Sequence, residues 1–315
     1  MQIANCRLKA QFRICNLQSA ICNLKMEAAY RQYVLEGERA GSRFALGVPR
    51  RVPQGRAGLH QGGRAGSSLE FKEHRDYQAG DDLRHIDWNA YARSDLLAVK
   101  VFHEEINPHL DVVLDGSRSM ALADSAKARV ALGLAAFFAS AGNNAGFSHR
   151  LWLARAGCDA VLGGSDRPDR WEDIDFTHAG NPAEAMRHRP PAWRPRGFRL
   201  LISDLLWVGE PLEVLGPCAD RATSVVVVQV LAEADVQPPR SGNVRLLDVE
   251  SGEARDLRID GASLRKYNAA LERHQQNWHN ACRQVGAVFT SVIAEDIVRT
   301  WRLDDLVAAE ILKVQ

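Results

Sequence analysis

The sequence predicts an α/β protein: a parallel sheet with helices on both faces, preceded by a small β-rich subdomain. Three observations carry that prediction. From residue 110 onward, short apolar runs of strand length alternate with longer helical runs, the pattern of a parallel sheet wrapped on both sides. Residues 110–114 are apolar with little interruption, as a strand buried on both faces is, and 224–231 is the most β-prone run in the chain. Before them, Leu69, Phe71 and Glu73 alternate with Glu70, Lys72 and His74, and 97–102 reads as a second strand beyond a turn at 78–81.

The elements follow in order. Residues 28–40 read as a helix with Tyr30, Tyr33 and Val34 on one side. After the β-rich segment, strand 110–114 leads to a helix at 127–141 that is apolar nearly all round and so belongs inside a domain. Strands are expected at 149–154 and 159–162, a helix begins at 182, and a strand at 198–202 ends in Ser203-Asp204. A helix at 211–219 precedes Ser224–Leu231, which is expected to be the central strand. Residues 244–249 and 254–259 flank Ser251-Gly252 as a β-hairpin. Ser263 is expected to cap a long helix striped by Leu264, Tyr267, Leu271, Trp278, Cys282 and Val285. A strand at 287–293 and a helix at 296–312 close the chain.

At 315 residues the chain has length for about two domains. Its 46% hydrophobic and 25% charged residues lie in the ordinary globular range, which excludes a disordered or fibrous chain. A net charge of +1 argues against a whole-protein polyanion binder, and no apolar run reaches the roughly 18 residues of a membrane span. The six cysteines form no Cys-x-x-Cys pair, which fits a reduced, cytoplasmic setting. Three of them fall in residues 1–25, where Ile-Cys-Asn-Leu occurs at 14–17 and again at 21–24. That segment is read as a non-structural extension ahead of Met26. Residues 26–68 are read as a helix and a basic loop. An anion-binding arm is the alternative, but no stacking aromatics interleave Arg50, Arg51, Arg56 and Arg64, so nucleic acid is not the expected partner.

Chemistry concentrates at Asp115-Gly116-Ser117-Arg118-Ser119, which follows an apolar strand and precedes a helix. In open α/β sheets, ligands bind at the carboxyl ends of strands near a switch in strand order. One carboxylate and two hydroxyls there supply hard oxygen ligands suited to Mg²⁺. Asp204 ends a second apolar strand, and parallel strands open onto one edge, so the two carboxylates are expected to meet. Each repels the other when no cation is present, so removing one is expected to leave the fold intact. As a bare string, Asp-x-Ser-x-Ser is also a turn capped by its own side chains; the strand–motif–helix context and Asp204 favour the metal. Ser117 lacks the Gly-x-Ser-x-Gly elbow of a hydrolase nucleophile, and no P-loop is present.

These residues resemble the metal-ion-dependent adhesion site of von Willebrand factor A domains. A longer set is similar to the bacterial family called domain of unknown function 58: Glu70-Phe71, Arg75-Asp76-Tyr77, Gly80-Asp81-Asp82-x-Arg84-x-Ile86-Asp87-Trp88, Ala92-Arg93, the Asp115 motif, Leu247-Asp248, Glu250-x-Gly252 and Tyr267. The resemblance runs from about residue 40 to the C-terminus. It implies a von Willebrand factor A-like Rossmannoid domain over 110–315, with a hairpin insertion at about 244–259, behind a β-rich subdomain at 69–109. It also implies a MoxR-type AAA+ ATPase partner and a role in assembling or maturing protein complexes. Adhesion sites of this type draw a threonine from a second loop, and Thr177 and Asn181 are the candidates here.

The block with Arg75, Asp81, Asp82, Arg84, Asp87, Trp88 and Arg93 is weighed two ways. It is a docking face or carboxylate cluster, or it is a structural charge network with Trp88 buried; the structural reading is preferred. The expected function is a non-enzymatic adaptor that grips partner proteins through Mg²⁺ (or Mn²⁺ or Ca²⁺) at Asp115, Ser117, Ser119 and Asp204. The alternatives are a Mg²⁺-dependent hydrolase, a phosphatase or nuclease, with Asp124 or Asp166 as base, and nucleic-acid binding through the basic arm. A client protein is expected as the second partner beside the ATPase.

Overall fold

The computed structural model of the chain describes residues 28–47, 69–78, 80–104, 108–122, 125–239, 241–249 and 252–315. The predicted extension at 1–25, the arginines of the basic loop and Asp124 lie outside them. The chain divides into two compact units, one of residues 1–52 with 108–315 and one of residues 53–107.

The smaller unit pairs two antiparallel strands. After α1 (Ala28–Gly41) and β1 (Phe44–Leu46), which belong to the larger unit, β2 (Leu69–Asp76) runs against β3 (Ala98–Glu104), with a bulge between Phe71 and Glu73. Between them lie a short 3₁₀ turn at Leu83–His85 and α2 (Trp88–Ser94). Asp87 starts α2, its Oδ1 accepting the N–H groups of Asn89 and Ala90. This is the usual remedy for the unsatisfied first-turn donors of a helix.

The larger unit is built on a six-stranded sheet. Its strands are β4 (His109–Asp115), β5 (Ser148–Ala154), β6 (Cys158–Ala160), β7 (Phe198–Ser203), β8 (Ser224–Leu231) and, beyond a β9–β10 hairpin (Gly242–Leu247, Ala254–Ile259), β11 (Val288–Ile293). The spatial order is β11-β8-β7-β4-β5-β6, parallel throughout except for the β5–β6 pair. From β4 the chain steps outward to β5 and β6, then crosses back to β7 on the other side and steps outward again. The switch in direction therefore falls between β4 and β7.

Strand alternation divides the core between two faces. Val112 and Leu114 of β4, with Leu200 and Ile202 of β7, join one cluster; Val113 and Leu201 join the other. The first face is covered by α1, by α3 (Lys127–Asn144) and, late in the chain, by residues such as Ile297 and Leu306. The second is covered by α4 (Pro182–His188), α5 (Leu212–Ala219) and, past the four-residue α6 (Glu233–Val236), the long α7 (Gly261–Val285). The sheet is thus mixed, mostly parallel and flanked by helices on both faces.

Four expectations are corrected. Ser224–Leu231 is not central: β11 pairs outside it, and β7 and β4 hold the middle. The long helix is capped by Asp260, whose carboxylate accepts the Ser263 N–H, while Ser263 sits three residues inside. The closing helix is broken into α8 (Ala294–Thr300) and α9 (Asp304–Ala308), because Trp301 adopts a left-handed conformation at φ 50°. Leu312, read as that helix's last residue, instead begins β12 (Leu312–Val314), which pairs antiparallel with β1. That pairing, with α1 packed on α3, makes the N-terminal helix part of the larger unit, not a separate arm.

Candidate metal site

Strand β4 delivers Asp115 to its carboxyl end, and Gly116 lets the chain cross close to β5. The Gly116 N–H donates to the Ala154 carbonyl at 3.0 Å, and a Cβ there would stand 2.9 Å from that same oxygen. The loop is then fastened to residues 177–178. The Arg118 N–H donates to the His178 carbonyl at 2.8 Å, and the Arg118 Nε donates to the Thr177 carbonyl at 2.8 Å. This clamp buries Ser117 and Ser119 with their hydroxyl oxygens 2.6 Å apart. Asp115 is 1% exposed. Its Oδ1 accepts the Ser117 N–H at 2.9 Å and its Oδ2 the Ser203 hydroxyl at 2.5 Å. Burial first, and the nearby Asp204 carboxylate second, push the Asp115 carboxyl up to about 6, against the hydrogen bonds from Ser203 and Ser117.

Asp204 stands at the end of the neighbouring strand, across the switch point. It is followed by Leu205 at φ 56°, a conformation that costs a side-chain-bearing residue about 1–2 kcal/mol. The turn is held by hydrogen bonds from the Leu205 N–H to Ser203 Oγ and from the Leu206 N–H to Asp204 Oδ1, and by His274 of α7, whose Nε2 donates to the Leu205 carbonyl at 2.7 Å. The other Asp204 oxygen, Oδ2, accepts from the Lys127 ammonium at 2.8 Å. Lys127 lies 3.3 Å from Asp235 Oδ2 as well, so one ammonium bridges two carboxylates. Its side chain is wholly buried. Gln229 completes the arrangement, its Nε2 donating to the Asp204 carbonyl while its Oε1 accepts from Gln275 and Ser291.

The structure therefore brings Asp115, Ser117, Ser119 and Asp204 to one edge and binds two of the predicted oxygens elsewhere. Thr177 Oγ1 donates to Asp175 at 2.6 Å. Asn181 Oδ1 accepts the Glu184 N–H as the cap of α4. Asp204 reaches the edge, but both its carboxylate oxygens are engaged. Asp166, considered as a base, is exposed, and its carbonyl is in a hydrogen bond with His149. Sequence reasoning missed Ser203, Lys127, Gln229 and Asp235. A polar Gln229 inside a run of valines was the one visible signal; a lysine opening a helix ordinarily reads as a solvated surface residue.

In the smaller unit the charged block resolves into local pairs: Arg75 with Asp81 at 2.8 Å, Arg84 with Asp82 at 2.7 Å, and Asp87 with His74 at 2.8 Å and Lys100 at 3.5 Å. Arg93 donates to the Asn89 carbonyl. Trp88 is corrected from buried to 62% exposed, edge-on to Tyr91. It lies at the first position of a short helix in a two-stranded unit.

The donor set at Asp115 suits a small hard cation. One carboxylate and two hydroxyls are all oxygen ligands, and the 2.6 Å between the hydroxyls approaches the ~2.9 Å separating neighbouring ligands around an octahedral Mg²⁺. Among the described residues no group of three or more His, Cys, Asp or Glu side chains is arranged to hold a metal ion, so any ion here relies on the serines.

The chain belongs to the family described as "Protein of unknown function DUF58", whose model matches residues 73–156 and 177–277. The first stretch carries the Asp115 motif and Lys127, the second Ser203, Asp204, Gln229 and Asp235. Uncharacterized proteins of Mycobacterium bovis and Mycobacterium tuberculosis are each 28% identical over 259 residues, covering 78% of this chain and 80% of theirs. An uncharacterized protein of Mycobacterium avium is 31% identical over 111 residues, 35% of this chain and 63% of its own. Among solved structures, the conserved hypothetical protein BatB from Bacteroides thetaiotaomicron aligns with 64% of this chain and 98% of that one, at 13% identity and a TM-score of 0.34.

Proposed function

We infer that the chain is a non-enzymatic adaptor of von Willebrand factor A-like architecture. It binds partner proteins through a divalent ion, Mg²⁺ or, by the same oxygen chemistry, Mn²⁺ or Ca²⁺, held by Asp115, Ser117 and Ser119. Asp204 acts from the neighbouring strand end. The observation that carries this reading is the pair of buried hydroxyls beside Asp115 at the switch between β4 and β7, where open α/β sheets place their ligands. A divalent ion there supplies a coordination position for an oxygen from outside, such as a partner's carboxylate. Ser117 lacks the Gly-x-Ser-x-Gly setting of a hydrolase nucleophile and the sequence holds no P-loop, which supports binding over catalysis.

The partner we assign is a MoxR-type AAA+ ATPase, and the setting is the assembly or maturation of protein complexes; both rest on the family resemblance. Among the described residues no helix is long and apolar enough to cross a membrane. The test is capture of the ATPase by the full chain in Mg²⁺ buffer and in excess chelator. Capture confined to Mg²⁺ is expected, and equal capture in chelator overturns the metal-dependent contact.

A further inference from the structure

We propose that Lys127 is a tethered cation that occupies the Asp204 side of the strand-end site, so that Asp204 is withheld from direct coordination and a divalent ion is left to Asp115, Ser117 and Ser119. This rests on the metal reading above and deepens it.

The position of Lys127 is the first argument. It is the first residue of α3, where the positive end of the helix dipole opposes an ammonium. Its side chain is wholly buried, which a charge tolerates only when paired. The pairing comes from Asp204 and Asp235, which lie far along the chain on different elements, 2.8 and 3.3 Å from the ammonium nitrogen.

Both carboxylates are also held independently of Lys127. Asp204 Oδ1 accepts the Leu206 N–H, and Asp235 Oδ2 accepts the Ala232 N–H. From the α7 side, the Tyr267 hydroxyl donates to the Asp235 carbonyl at 2.6 Å. Removing the ammonium therefore leaves Asp204 held at the strand edge it shares with Asp115, across the switch between β4 and β7. Two carboxylates and two hydroxyls at one strand edge are a stronger divalent-cation site than one carboxylate and two hydroxyls. In the native chain Lys127 satisfies Asp204, and this keeps the ion weakly held and exchangeable.

The experiment compares the full-length wild type with Lys127→Met and with the double variant Lys127→Met/Asp235→Asn, titrating Mg²⁺ and Mn²⁺ by calorimetry and following melting with and without chelator. The double variant keeps the formal charge of the three-residue cluster at one net negative, so tighter binding by it reports a freed Asp204 and not added charge. It also carries the test should Lys127→Met alone fail to fold. Lys127→Met is expected to melt below the wild type in chelator and to recover in Mg²⁺. Both variants are expected to bind Mg²⁺ roughly tenfold or more tighter than the wild type, the size of effect that neighbours of metal ligands exert. Wild-type affinity in both variants overturns the role of Lys127 and leaves the metal reading standing. Binding by the variants alone, with none by the wild type, keeps Lys127 as the occupying cation and removes the native metal site. Binding by none of the three removes both.

Discussion

The Ser203 hydroxyl donates to Oδ2 of Asp115 across adjacent strand ends, at 2.5 Å. With the Ser117 N–H on Oδ1, this gives the buried carboxylate a donor on each oxygen. Sequence alone suggested that either carboxylate is removable without harm. The two donors change that for alanine: Asp115→Ala leaves a buried hydroxyl and a buried N–H without their acceptor, at about 1–3 kcal/mol each. Asp115→Asn keeps an oxygen for Ser117 and removes a charge that burial and Asp204 both disfavour. In chelator at neutral pH, Asp115→Asn is expected to melt at or above the wild type and Asp115→Ala several degrees below it. Both should lose the rise in Tm that Mg²⁺ gives the wild type. A Mg²⁺ response in Asp115→Asn equal to the wild type's takes Asp115 out of the ion's ligand set.

Gln229 is fully buried and joins the Asp204 carbonyl to Gln275 and Ser291. Gln229→Leu is close in size but leaves three polar groups short of a partner, so a loss on the order of 1–3 kcal/mol is expected. Gln229→Glu replaces the donating amide with an acceptor facing a carbonyl and adds a buried negative charge beside Asp204. It should melt lower still at neutral pH. If thermal denaturation ranks the glutamate variant level with the wild type, the amide is not the group that holds the Asp204 turn.

In the smaller unit, stability should rest on Asp87 and not on Arg84. The Arg84 side chain is 82% exposed, so Arg84→Ala should leave Tm within error, as exposed pairs usually do. Asp87 starts α2, and the hydrogen bond from His74 first, then that from the Ala90 N–H, holds its carboxyl at about 2, against the opposing effect of burial. A carboxylate with its folded value depressed contributes stability that is full above its unfolded value of roughly 4 and is lost as pH falls through about 2. The Tm difference between wild type and Asp87→Asn should be widest above about pH 4 and close toward about pH 2. A gap that stays constant across that range rules out ionised Asp87 as its source.

What could be read from the sequence and what could not divide along physical lines. Apolar runs of strand length located β4, β7 and β8, because burial on both faces leaves an uninterrupted signature, and the same logic brought Asp115 and Asp204 to one edge. It did not order the strands: a valine run reports burial, and β8 is buried next to the edge as thoroughly as β4 is in the middle. The break at Trp301 was invisible because a tryptophan carries no mark of a left-handed backbone. Lys127 was invisible for a different reason. Nothing local separates a buried lysine from a solvated one, and its partners, Asp204 and Asp235, come from turns after two other strands. Thr177 and Asn181 had the right chemistry in the right loop, but Asp175 and the first turn of α4 claim their oxygens.

Helix α1 offers the last prediction. It lies against α3 with backbone meeting backbone: a Cβ at Gly37 would overlap the carbonyl oxygen of Gly133, and one at Gly41 that of Phe137. Val34, one turn before Gly37, is fully buried in the cluster that contains β4. The obstacle is main chain on both sides, so no side chain can swing aside to admit a larger residue. Gly37→Val should therefore force the helices apart and destabilise the larger unit by roughly 1–3 kcal/mol, the range of overpacked interiors. Release of α1 exposes its backbone, so cleavage by trypsin after Arg39, on the outer side of the helix, should be faster than in the wild type. Gly37→Ala should fall between the two. The Mg²⁺ response should survive in whatever fraction stays folded, because Asp115 and both serines lie at the far end of β4 from the β1–β12 pair that follows α1. An unchanged Tm together with unchanged resistance at Arg39 would show that α1 does not pack on α3 through its glycines.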